Sequence, residues 1–471
     1  MIMQVRTACT SILVGKKASA DGSIMIGRNE DSKAAWPKHL VVHPETNAQT
    51  SPTFTSKATG LTLTLPKRAL KYTATPEWTD EFGLFEEDGI NSAGVAMSAT
   101  ESAYANARVL AADPFVEDGI IEEAMVTVVL PYITSAKAGV RRLGQIVEEF
   151  GTGEANGILF ADHDEAWYME IATGHHWVAA RIPDDSYAVV ANQLAIQEVN
   201  PESADFLYDA GLFDFAADHQ LWQPGTPFNF RQIFGTSTEF DRIYNTPRVW
   251  DGQRRLTPSQ TRTPLDSDLP FIVKPDQPLF IDDVTGVLSS HYQETPYDPT
   301  TNGPEAHRFR PISLAKTQES HVLQLRDNRP QPIADIHWLA LGVSAESQYV
   351  PFFSGMTEVP ESYQTGELPA DLTSAYWQYK LTGVLVDAHY RHFAKSLTDL
   401  QKATHQALLQ LIAETDDASR GLDPAGLAVL ANEASAKAAA LSLSVYHDYT
   451  MQILAESTDY SPLNFNTDAN L

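Results

Sequence analysis

Cys9–Gly15 (CTSILVG) and Ser23–Asn29 (SIMIGRN), bridged by Lys16–Gly22 (KKASADG), decide how this chain folds. Both flanking runs are rich in β-branched and other apolar residues, and the bridge is polar and turn-prone, so the segment reads as a β-hairpin. A two-residue turn at Asp21-Gly22 would set Cys9 opposite Ala34. A longer loop centred near Ser19 sets Cys9 opposite Asn29, with Arg28 and Asp31 close by, and pairs the apolar runs over their full lengths. The longer loop is the expected register.

Downstream, Asp88–Ala99 (DGINSAGVAMSA) combines an NSAG turn with a strand of small apolar residues. Helical spacing follows over Gly119–Val129 and Ser135–Phe150, interrupted at Pro131. Strands resume at Gly157–Ile171, His176–Ala180 and Ser186–Ala191. Two strand groups around a helical pair predict layered α and β structure rather than a doubly wound parallel sheet. Gly225–Pro311, rich in Pro, Asp, Thr and aromatics, predicts loops and short elements. Strands are expected at Ser320–Gln324 and Ile336–Leu341, and Ser374–Glu456 reads as a packed helical part.

The 471 residues carry 33 Lys plus Arg against 61 Asp plus Glu, a formal charge of −28. Such a surface repels phosphate backbones and anionic lipid, which disfavours nucleic-acid and membrane partners. No apolar run approaches the roughly 20 residues of a membrane span; Ala124–Ile133 comes nearest and contains Pro131. The opening MIMQVRTA lacks the apolar stretch of a secretory signal, so a cytoplasmic location is expected.

Cys9 is the sole cysteine, which rules out an intramolecular disulfide and a Cys-rich zinc site. Among 14 histidines, His175-His176 are adjacent and His389 and His392 sit at i, i+3. HExxH and GxSxG are both absent, so neither a metallopeptidase nor a serine hydrolase is signalled, and no metal or cofactor is expected.

A cut between Ala8 and Cys9 would give the thiol residue a free α-amine. Such an amine titrates near about 7.7–8.0 and can act as a base at neutral pH. Nucleophile and base then share one residue, and no catalytic histidine is needed. Residues 1–8 would be a propeptide removed by the same thiol, which attacks the Ala8 carbonyl to form a thioester that water opens.

Cys9, followed by Arg28-Asn29-Glu30-Asp31, resembles the opening of the N-terminal-nucleophile cysteine hydrolases that include penicillin V acylase and bile salt hydrolase. The wider chain is similar to their dipeptidase A branch, in CTSILVGKKAS at Cys9, IGRNED at Ile26, NSAGVAMSAT at Asn91 and VANQLAI at Val190. DRIYNTPRVW at Asp241, SSHYQETPYD at Ser289 and HVLQLR at His321 continue it. The blocks run in order over about two-thirds of the chain.

This resemblance implies an α+β, four-layer αββα N-terminal-nucleophile sandwich over residues 9–471, with extra C-terminal helices from about 374 to 456. It implies a thiol dipeptidase with broad side-chain tolerance, acting on small peptides and commonly assembled as a homo-oligomer. An amidase or acylase on non-peptide amides, using the same machinery, is the first alternative, and a metal-dependent dipeptidase the second. Carried over residue by residue, Cys9 is the nucleophile and Arg28 the cation that favours its thiolate. Asp31 matches the aspartate that holds the α-amine, and Asn192 the asparagine of the oxyanion hole. Arg248 matches the second active-site arginine, with Arg242 as its rival. One departure stands out: Glu101 occupies the place where acylase relatives carry an oxyanion asparagine. A carboxylate would repel an oxyanion, so Glu101 is expected instead to meet the ammonium group of a dipeptide.

Overall fold

The structure, a computed structural model, describes residues 9–464 apart from Ser102 and Asn328, and describes Glu101 by its backbone only. The expected propeptide, residues 1–8, lies outside the described residues.

Two antiparallel sheets form the centre. The first contains β1 (Thr10–Val14), β2 (Ile24–Asp31), β8 (Tyr187–Val190), β10 (Ile272–Val273), β11 (Thr317–Leu325), β12 (Asp335–Leu341) and β13 (Val350–Phe353). Its order is β10-β8-β1-β2-β11-β12-β13. The second contains β3 (Asp88–Ile90), β4 (Ala96–Glu101), β5 (Asn156–Ala161), β6 (Ala166–Ile171), β7 (Trp177–Ile182) and β9 (Phe206–Tyr208), in the order β9-β7-β6-β5-β4-β3.

Side chains alternate across each strand, so each sheet supplies two apolar faces. Leu13, Ile24, Ile26 and Leu323 of the first sheet pack against Leu159, Ala161 and Val178 of the second in one cluster. The opposite face of the second sheet, through Met97, Phe160 and Trp167, packs on α1 (Glu122–Val129) and α2 (Ala136–Phe150). The opposite face of the first, through Ile12, Met25 and Val322, packs on α4 (Ile281–Leu288), α5 (Ala375–Ala388), α6 (Tyr390–Ala418) and α7 (Pro424–Ser457). The last three match the helical part expected from Ser374. Gly27 permits the close layering, because a Cβ there would lie 2.8 Å from the His321 carbonyl oxygen and 3.1 Å from Leu288.

Two expectations need correction. In the β1–β2 hairpin Thr10, not Cys9, pairs with Asn29. Continuing that register puts Cys9 opposite Glu30, on the face shared with Arg28. The loop is one residue longer in effect than the one centred at Ser19, and a slip of one residue exchanges faces. Second, the stretch expected to be mostly loops holds α3 (Thr246–Leu256) as well as α4. Pro247 reads as a breaker in composition, yet it occupies the first turn of α3, where a missing N–H costs nothing.

Candidate active site

The alternation of β1 and β2 turns Cys9, Arg28 and Glu30 inward, toward the second sheet. Cys9 is buried, only 3% exposed. Arg28, wholly buried, donates from Nη1 to Cys9 Sγ at 3.1 Å and to Glu30 Oε2. Its Nη2 donates to Glu87 Oε2 at 2.7 Å and its Nε to Ser98 Oγ on β4 at 2.9 Å. The thiol in turn donates to Glu30 Oε2 at 3.3 Å. Thus the arginine joins the two sheets and holds the sulfur and a carboxylate together.

The cation beside the sulfur was expected to favour the thiolate. Its pull is present but outweighed: burial, then the Glu30 charge, push the thiol well above its ordinary value. The surrounding charges explain why. Lys38 donates to Glu87 at 2.6 Å, and Glu122 Oε1 lies 3.6 Å from Arg28 Nη1. Two buried cations therefore face three buried carboxylates. Glu87, held by both cations, is lowered, whereas burial and the Glu87 charge raise Glu30 to about 8 and push Glu122 up well beyond the carboxylate range.

Arg248 on α3 lies on the other side of Cys9. It donates from Nη1 to the Cys9 carbonyl oxygen at 2.6 Å and to Thr10 Oγ1 at 2.9 Å, and from Nη2 to Asn192 Oδ1 and, at 2.8 Å, to Asn245 Oδ1. Burial lowers its pKa to about 9, assisted by the Arg310 charge. Arg242, by contrast, is exposed and pairs with Glu239 at 2.7 Å. Asn192 follows β8 and is fully buried; with its oxygen on Arg248, its Nδ2 has no hydrogen-bond partner among the described residues. Buried donors are almost always satisfied, so an open one marks a place for an acceptor.

Asp31 points to the other face of β2, where its carboxylate accepts from Arg310 Nη2 at 2.6 Å and from Thr317 Oγ1. It stays near enough to Cys9 for its charge to raise the thiol. The side chain of Glu101 lies outside the described residues. The structure thus brings Cys9, Arg28, Asn192 and Arg248 together and sets Asp31 just behind.

Sequence reasoning missed Glu30, Glu87, Glu122, Lys38 and Arg310. Only Glu30 left a signal, since the corrected hairpin register places it opposite Cys9. Behind the site, Ser98 Oγ lies 3.0 Å from His321 Nε2, and His321 Nδ1 lies 3.1 Å from both Asp88 and Glu319. His337 Nε2 meets the other Asp88 oxygen at 3.0 Å. The two imidazoles hold Asp88 down at about 2, and the two carboxylates raise His321 despite its burial.

Among the described residues two groups could offer a metal three donors, Cys9–Glu30–Glu122 and Asp88–Glu319–His321. The histidine pairs noted in the sequence form neither. His175 and His176 each pair with a different aspartate, Asp113 and Asp209, at 2.9 Å, and His392 stacks on Tyr460. No helix among the described residues is long and apolar enough to cross a membrane.

A buried thiol hydrogen-bonded to an arginine–carboxylate pair, with an open amide donor tied to the same residue through Arg248, suits thiol chemistry. Residues 8–403 match peptidase family C69, and the chain belongs to that family. It is 45% identical to "Probable dipeptidase" of Latilactobacillus sakei over 99% of this chain and 98% of that protein. It is 39% identical to "Dipeptidase A" of Lactobacillus helveticus over 85% of this chain and 88% of that protein. Among solved structures, a conjugated bile acid hydrolase variant from Clostridium perfringens aligns at 12% identity and TM-score 0.34, covering 77% of this chain and 100% of that one. Penicillin V acylase from Agrobacterium tumefaciens aligns at 14% identity and TM-score 0.31, covering 73% and 86%.

Proposed function

We propose that this C69 peptidase is a dipeptidase whose nucleophile is Cys9, exposed as an N-terminus by self-cleavage after Ala8, on a four-layer αββα N-terminal-nucleophile sandwich. The shared inter-sheet cluster and the helices on both outer faces support the fold. The names of the relatives support dipeptides as substrates.

The observation that carries the mechanism is the contact of Cys9 Sγ with Arg28 Nη1, together with Arg248, which joins the Cys9 carbonyl oxygen to Asn192 and leaves the Asn192 Nδ2 open. The α-amine of mature Cys9 takes the thiol proton, with Asp31 behind it as its anchor. The thiolate attacks the scissile carbonyl, and Asn192 Nδ2 receives the developing oxyanion. Arg248 fixes both participants, through the Cys9 carbonyl and the Asn192 oxygen. The amine then protonates the leaving group, and water opens the thioester. Glu101 meets the substrate ammonium; Glu101→Gln should raise KM for dipeptides far more than it alters self-cleavage, and an unchanged KM removes that role.

The deciding experiment is intact mass and N-terminal sequencing of wild type beside Cys9→Ala. The reading requires wild type to begin at Cys9 and the variant to keep Met1 to Ala8 without activity. A wild type that keeps those residues and hydrolyses dipeptides without using its thiol overturns it.

A further inference from the structure

Self-cleavage poses a problem that peptide hydrolysis does not. In mature enzyme the free α-amine of Cys9 takes the thiol proton. Before the cut that nitrogen is the amide joining Ala8 to Cys9, and an amide nitrogen is no base. Burial meanwhile pushes the thiol well above its usual value, so spontaneous ionisation is suppressed. Another group must accept the proton.

Among the described residues, two groups hydrogen-bond to the sulfur. Arg28 Nη1 is a donor, at 3.1 Å; Glu30 Oε2 is an acceptor, at 3.3 Å, and already receives the S–H. His321, the nearest histidine of the network, is separated from the sulfur by Ser98 and Arg28. Because Arg28 Nη1 also donates to Glu30 Oε2, it clamps the acceptor against the thiol. Glu87 and Lys38 hold the far side of the cluster, with Glu122 within 4.8 Å of both the sulfur and Glu30.

We infer that Glu30 is the catalytic base of self-cleavage, an inference that rests on the proposed cut before Cys9. Glu30 Oε2 takes the Sγ proton. A sulfur lone pair bonds to the Ala8 carbonyl carbon, and the π pair moves to oxygen. As the carbonyl re-forms, the bond from that carbon to the Cys9 nitrogen breaks. The nitrogen receives the proton from Glu30 and becomes the α-amine. Water then adds to the thioester carbon, the C–S bond breaks, residues 1–8 leave as a carboxylate and a proton returns to sulfur. One water is consumed, and nothing is oxidised or reduced.

The test follows the mass of freshly synthesised full-length chain over time for wild type and Glu30→Gln. A lost general base should slow the cut by about 100-fold or more. The Glu30→Gln rate should then climb about tenfold per pH unit between about pH 6 and 9, as hydroxide replaces the base, while wild type levels off as Glu30 ionises. A Glu30→Gln chain made to begin at Cys9 guards against misfolding: it should hydrolyse dipeptides at least about tenfold faster than the same variant with residues 1–8 attached. Cleavage of Glu30→Gln at the wild-type rate overturns the assignment, as does a pre-cut variant no more active than the uncut one. A wild type that never cleaves instead brings down the self-cleavage reading beneath it.

Discussion

Arg248 Nη1 donates to the carbonyl oxygen of Cys9 at 2.6 Å, so the residue that carries the proposed nucleophile is gripped through its backbone by a buried guanidinium. The same guanidinium reaches Thr10, Asn192 and Asn245. Its partners are neutral oxygens, and the desolvation left uncompensated lowers its pKa to about 9.

This fork has several acceptors at fixed directions, which an ammonium cannot reproduce. Arg248→Lys should therefore lower kcat/KM for dipeptides by about 100-fold or more, the scale of losing transition-state alignment. Arg242→Ala, on the exposed side, should leave kcat/KM unchanged. Steady-state kinetics of the two variants decides which arginine serves the site.

Asn192→Ala removes the one buried side-chain amide donor that, among the described residues, lacks an acceptor. If that donor meets the oxyanion, kcat falls by about 100- to 1000-fold with little change in KM. Asn192→Asp should be worse, since its charge opposes the oxyanion. A rise in KM at constant kcat would make Asn192 a ground-state binding residue instead.

Much of this arrangement was legible in the chain. The β-rich apolar runs at Cys9 and Ser23 around a turn-prone bridge predicted the hairpin, and strand groups on either side of a helical pair predicted the layers. Arg28 and Asn192 were singled out through the resemblance of IGRNED and VANQLAI to the family's blocks. Glu30 was not, because the register differs by one residue and the difference exchanges faces. Lys38, Glu87 and Glu122 were hidden for another reason: charged residues ordinarily read as surface, and nothing local marks the few that pair in a core. Arg310 meets Asp31 across a separation of 279 residues, and no periodicity spans that distance.

Asp88 should show itself in stability at low pH. Its pKa is lowered from about 4 in unfolded chains to about 2 by His321 and His337. A depressed carboxylate contributes stability that is present above its unfolded value and is lost as pH falls through its folded value. Wild type should lose this contribution between about pH 4 and pH 2. Asp88→Asn leaves His321 beside Glu319 alone and should cost about 3–5 kcal/mol at neutral pH. Thermal melts against pH check both, and a variant melting with wild type removes the coupling.

Glu170 carries the opposite sign. It lies fully buried on β6, and its carboxylate accepts from the backbone N–H of Ala195 and, at 3.2 Å, of Ile196. These bonds hold the segment just after Asn192. Burial outweighs them and raises the pKa to about 8. A raised carboxylate contributes stability that is full below its unfolded value, near about 4.3, and is lost as pH rises through its folded value. Wild type should therefore weaken between about pH 5 and 8 on this account. Glu170→Gln keeps an acceptor for the loop and cannot ionise, so its melting temperature should gain on wild type across that window. Glu170→Ala frees both N–H groups and should lower kcat as well, through a displaced Asn192. Equal pH slopes for wild type and Glu170→Gln would show that Glu170 does not titrate in the folded chain.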